Sequence, residues 1–279
     1  MRIDVKKTYK LYIGGAFPRS ESGRVYEIND AEGNFLANPS LASRKDLRDS
    51  VVSARNAFGG WSGATEYNRG QVLYRVAELM EGRTFQFAEE IAALEGVNFK
   101  NAKSQVEAAI DCWVWYAGWC DKIASVSGST NSVSGPFYNF TVPESLGVVG
   151  IFAGQQSALL GLVAGLAPVL TGGNTAVVIA SEKYPLPAIT LSEVLATSDV
   201  PAGVVNILTG SSAELAPWLG SHMDIDGIDL SGLSKKEEAE VRLAGVENLK
   251  RIFRFNDSNS LARVQAFMEN KTVWHPIGV

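Results

Sequence analysis

The sequence predicts an α/β fold: a Rossmann-like, doubly wound parallel sheet of about five strands, with an N-terminal helical layer and a small additional β element. Two observations predict it. Val148 to Phe152 and Thr175 to Ile179 are five-residue apolar runs without alternation, as strands buried on both faces require. From the first run onward, short apolar runs alternate with helical segments, and strands separated by helices pair in parallel. The 279 residues, 46% hydrophobic and 20% charged, suffice for a sizeable core without disulfides.

Tyr9 to Gly14 and Val25 to Ile28 read as an opening pair of strands around the Gly14-Gly15 and Ser22-Gly23 turns. Ser43-Arg44-Lys45-Asp46 is a capping box; Leu47, Val51, Ala54 and Phe58 follow at helical spacing, and Gly59-Gly60 closes the helix. Thr65 caps a second helix, with Val72, Val76, Leu79 and Met80 on one side, and Phe85 to Leu94 forms a third. Lys100 to Ile123 is an aromatic helix with Val106, Ile110, Trp113, Ala117, Cys120 and Ala124 on one face and Trp115 and Trp119 in a second stripe. Such a helix packs against two neighbours. Phe137 to Val142 is aromatic and β-branched, a strand signal.

The alternating region follows as strand 148–152, helix 157–171, strand 175–179, helix 187–197, strand 204–208, helix 212–220, strand 226–230, helix 234–244 and strand 249–255. Pro185 and Pro187 suit a helix start. Lys271 to Trp274 is a last strand.

The net charge of −5 gives no reason to expect nucleic acid or an anionic membrane as partner. Ser157 to Leu170 is too short and glycine-punctuated to span a bilayer, and the opening residues lack a secretory signal, so a cytoplasmic protein is expected. Cys112 and Cys120 lie within the helical pattern and read as small buried side chains; His222 and His275 lack metal-ligand spacing.

PESLGVVGIF, GLAPVLTGGNT and the Ser181-Glu182 pair resemble the cofactor-domain entry of the NAD(P)-dependent aldehyde dehydrogenase superfamily. The resemblance implies a catalytic cysteine, a glutamate base and an asparagine oxyanion donor. Neither cysteine falls where the family has its nucleophile. ENLKRIFRF is similar to the last cofactor strand, which in the family leads to the glutamate; Phe255 stands there, and Asp257 reads as a turn residue. Gln156 takes the position of the asparagine donor. In the family a lysine and a glutamate hold the adenosine ribose; here they correspond to Ile179 and Glu182, with Ser181 between. The pyrophosphate turn has a first glycine, matched by Gly232, and a second replaced by Glu237, whose charge repels phosphate and is offset in part by Lys235 and Lys236. Tight NAD(P) binding is not expected. Ser181 and Glu182 also read as acceptors at the start of the helix at 187.

KTVW, Lys271 to Trp274, resembles the closing strand that returns from the family's catalytic domain. Only Asn256 to Asn270 separates it from the last cofactor strand, too little for a domain with its own core. The expected organisation is therefore residues 1–135 as N-terminal strands and helical layer, 136–146 with 268–279 as oligomerisation strands, 147–256 as the Rossmann-like domain, and no catalytic domain. The chain looks like the catalytically silent second half of two-part bacterial aldehyde dehydrogenases. The expected function is a non-catalytic homologue (a pseudoenzyme) that assembles with itself or with a full-length aldehyde dehydrogenase. The alternatives are an NAD(P)(H)-binding module and an oxidoreductase completed by a partner subunit.

Overall fold

The computed structural model describes residue 3 and residues 5–278. The opening pair of strands does not form. Tyr12 makes a lone antiparallel bridge to Ile207, with each backbone N–H donating to the other's carbonyl, and Val25 bridges Ser40. The hairpin forms later, between β1 (Ile28–Asn29) and β2 (Phe35–Ala37). Asp30 decides this: its Oδ1 accepts from the backbone N–H groups of Glu32 and Asn34, closing an Asx turn on which Gly33 takes φ +90°.

The helical layer holds α1 (Arg44–Ser62), α2 (Glu66–Glu81), α3 (Thr84–Glu95), α4 (Phe99–Ala117) and the short α5 (Ile123–Ser127). The Ser43–Asp46 capping box and the Thr65 cap are both present. Helix α1 runs through Gly59-Gly60 instead of ending there, because Trp61, 1% exposed, anchors the last turn by donating from Nε1 to Leu170 O at 3.2 Å. Helix α4 stops at Ala117 rather than Ile123, capped by Gly118, so Ala124 leaves the buried face and is exposed. Val106, Ile110, Trp113, Ala117 and Cys120 are buried as the periodicity requires.

A three-stranded antiparallel sheet follows, from β3 (Ser129–Asn131) and β4 (Phe137–Ser145), with the closing strand β10 on the far side of β4. The main sheet comprises β5 (Val148–Phe152), β6 (Thr175–Ile179), β7 (Val205–Leu208), β8 (Gly227–Asp229) and β9 (Arg251–Phe253), all parallel, in the order β7-β6-β5-β8-β9. Its connections are α6 (Ala158–Thr171), α7 (Leu186–Leu195), α8 (Ser212–Ser221) and α9 (Lys235–Ala244), the last extended by a 3₁₀ turn. Helix α10 (Leu261–Gln265) leads into β10 (Met268–Pro276), which is longer than the four residues expected. It pairs with β4 along nine residues, from Met268 opposite Ser145 to Pro276 opposite Phe137.

One face of the main sheet packs on α6, α7 and the α2–α4 layer, the other on α1, α8 and α9. The chain leaves β5 toward β6 and β7 on one side and toward β8 and β9 on the other, so the topological switch point lies between β5 and β8. Among the described residues no helix is long and apolar enough to cross a membrane.

Candidate functional site

The switch point directs attention to the carboxyl ends of β5, β6 and β8. Gly232, after β8, donates its backbone N–H to Phe152 O at 2.9 Å. A Cβ there would sit 2.0 Å from Ala153 O, so only glycine lets this loop cross the end of β5. Gln156 lies on the loop after β5 and is exposed. The amide that turns inward is its neighbour's: Gln155 Oε1 accepts from Ser181 Oγ at 3.0 Å, and its Nε2 donates to Ala153 O at 3.2 Å. Ser181, buried at the end of β6, also accepts from Tyr184 N at 3.1 Å, ahead of α7. Glu182 does not serve α7. Its Oε2 accepts from Ser212 N at 3.1 Å, at the start of α8. The proline at position 187, in the first turn of α7, removes one of the donors a carboxylate would seek there. The structure thus brings Gln155 and Ser181 together, and Gly232 against β5, while Glu182 turns to α8 and Gln156 to solvent.

Positions tied to a dinucleotide are otherwise engaged. Ile179 is 1% exposed within the sheet. Helix α9 starts with a capping box: Ser234 Oγ accepts from Glu237 N at 3.3 Å, and Glu237 Oε2 accepts from Ser234 N at 2.9 Å. The carboxylate therefore lies where the helix start would meet a phosphate, and a pyrophosphate there would have to displace it. Glu238 pairs with Arg254 at 2.7 Å, and Arg254 donates to Leu233 O, also at 2.7 Å, tying the loop to the end of β9.

Beyond β9 the chain closes on itself. The Phe255 ring lies 6.0 Å from Phe253, with the Arg263 guanidinium 4.6 Å over it. Arg263 reaches the Asp229 carboxylate at 3.5 Å and donates to Ala164 O. Burial pushes the Asp229 carboxyl above the usual carboxylate range. Asp257 is exposed on the connecting turn, 3.6 Å from Arg263 Nε. The Tyr116 hydroxyl donates to Ser258 O at 3.0 Å and accepts from Ser260 N at 3.2 Å, fastening that turn to α4. Both cysteines are buried and unpaired; burial pushes Cys112 up to about 12 and Cys120 up to about 11. Among the described residues no cluster of three or more His, Cys, Asp or Glu side chains could hold a metal.

Gln155, Asp229, Arg263 and Tyr116 were not singled out from the sequence. The one available signal was Asp229, a carboxylate in the apolar run Ile228-Asp229-Leu230.

The aldehyde dehydrogenase family model matches residues 17–254. The cytosolic 10-formyltetrahydrofolate dehydrogenase of Pongo abelii is 32% identical over 258 residues, covering 89% of this chain and 28% of that protein. An aldehyde dehydrogenase of Aspergillus niger is 31% identical over 245 residues, 87% of this chain and 48% of that one. The NAD+ complex of an aldehyde dehydrogenase from Bacillus cereus superposes with a TM-score of 0.83 at 26% identity, over 89% of this chain and 50% of that chain. The chain spans about half the length of the aldehyde dehydrogenases it matches.

Proposed function

Because the chain belongs to the aldehyde dehydrogenase family, we propose that it is a non-catalytic member of that family acting through assembly, with a second copy of itself or with a catalytic aldehyde dehydrogenase. The observation that carries this reading is the connection from β9 to β10. Where the resemblance implies a catalytic glutamate and a further domain, residues 254–267 fold into a packed turn and one short helix, with Phe255 beneath Arg263. A phenyl ring takes no proton, and two buried thiols raised far above neutral offer no thiolate. The Glu237 capping box supports the further reading that NAD(P) is not held tightly.

Assembly is supported by β10. Eight of its nine residues, Glu269 to Pro276, are exposed, and its outer edge is unpaired among the described residues. A long strand edge of this kind is a template for a strand from another chain. Three regions follow from this reading: residues 1–135 as helical layer, 136–146 with 268–279 as assembly strands, and 147–256 as a nucleotide-fold scaffold.

Light scattering with size-exclusion chromatography tests it, on the chain alone and mixed with a catalytic aldehyde dehydrogenase from the same cell. A defined complex is expected, and it should be lost when the exposed Val273 and Trp274 are both changed to lysine. A monomer under all conditions, or aldehyde turnover by the purified chain alone, overturns the proposal.

A further inference from the structure

A cleft of 650 Å³ lies between the first turns of α1 and the end of α8. Arg44, Lys45 and Arg48 line the α1 wall; Trp218 and Met223, 41% and 67% exposed, line the other. Its cations are poorly matched by carboxylates. The Arg44 guanidinium stacks on the Trp218 indole at 3.7 Å and makes no ion pair among the described residues. Arg48 pairs only with its chain neighbour Asp49, at 2.8 Å and largely in solvent, where such a pair contributes little. Lys45 alone has a carboxylate of the lining opposite it, Glu21 at 3.6 Å. The cleft is therefore positive in a chain whose net charge is −5.

We propose that this cleft docks an extended acidic segment of a partner protein, in which carboxylates alternate with apolar side chains. Arg44 and Arg48 stand one turn apart, about 6 Å along the helix. Same-side residues of an extended segment repeat every 6.5–7 Å or so. Two successive same-side carboxylates thus meet the two guanidinium groups, while the apolar side chains between them face Trp218 and Met223. Stacking on the indole holds Arg44 in place and leaves its N–H fork available for a bidentate carboxylate. A nucleic acid strand shares the charge and the stacking but has no apolar side chains alternating with its charges to set against the exposed Met223, which favours the peptide. This surface is separate from β10, and its test does not depend on the assembly reading.

Fluorescence anisotropy of the full chain with a labelled peptide of alternating glutamate and leucine tests the proposal. The controls are the matching lysine–leucine peptide and a single-stranded oligodeoxythymidine of similar length. Saturable binding of the acidic peptide is expected. The R44E/R48E double variant should weaken it by roughly tenfold or more, as should raising the salt from about 50 to about 500 mM. Arg75→Glu, on the exposed face of α2, should leave it unchanged. No saturable binding of the acidic peptide, equal binding by the charge-reversed variant, or tighter binding of the oligonucleotide would each overturn the proposal.

Discussion

The Arg263 guanidinium lies 3.5 Å from the Asp229 carboxylate, with 5% and 2% of the two side chains exposed. The pair joins α10 to the end of β8 and closes the turn that follows β9. Removing one partner leaves the other charge buried and unmatched. Arg263→Ala should therefore cost about 3–5 kcal/mol in urea denaturation. Replacing both residues by leucine should cost less than the sum of the two single changes, and strict additivity would exclude the coupling.

Tyr116 holds the same turn from the other side through Ser258 O and Ser260 N. Tyr116→Phe keeps the ring and deletes the hydroxyl, so the expected loss is about 1–3 kcal/mol. Limited proteolysis should then cut between Asn256 and Ser260 before the remainder of the chain opens. Unchanged cleavage would show that the hydroxyl does not restrain this turn.

Two glycines should respond in opposite directions to alanine. At Gly232 the new methyl would meet Ala153 O at 2.0 Å, and backbone cannot yield cheaply, so a loss of about 1–3 kcal/mol or more is expected. Gly59 lies inside α1 with nothing within 4 Å of a Cβ. Alanine there should stabilise by about 0.5–1 kcal/mol, measured by the same denaturation curves.

Glu90, on α3, accepts from the Tyr9 hydroxyl at 2.9 Å and from Thr190 Oγ1 at 2.8 Å, with Lys7 at 3.8 Å and Glu193 also near. Burial outweighs these partners and raises its carboxyl. A raised folded-state value means that the fold favours the neutral acid. Its contribution is complete below the unfolded value and is lost as pH rises through the folded one. Glu90→Gln keeps an acceptor and cannot ionise. The melting temperature of the variant should therefore gain on that of the parent as pH rises from about 4, the ordinary carboxylate range, into the neutral range. A constant difference across that range would rule out ionisation of Glu90 as the cause.

Much of this architecture was legible because its signals are local. Strands buried on both faces are largely apolar, so β5 and β6 stand out as near-continuous runs, and the Ser43–Asp46 box reports the start of α1 within four residues. What stayed hidden depends on distant partners. Tyr12 finds its bridge in Ile207, 195 residues further on, and no pattern around Tyr12 announces that. Gly59-Gly60 reads as a helix end until Trp61 is seen bonded to α6. Gln155 and Gln156 are chemically identical, and only the direction of the backbone after β5 decides which amide meets Ser181. Arg263 and Asp229 come from a five-residue helix and a three-residue strand, neither long enough to show a period.

The beginnings of β9 and β10 are neighbours in space. Arg251 donates to Met268 O and lies 3.5 Å from Glu269, and the Phe253 and Phe267 rings are 5.8 Å apart. Departure and return points this close make the exposed turn around Asp257 a natural graft site. A foreign domain whose own termini adjoin could be spliced there without parting the strands on either side. The sheet edge is thus held by the two strand beginnings, and the segment between them is a socket closed by Arg263 and Tyr116.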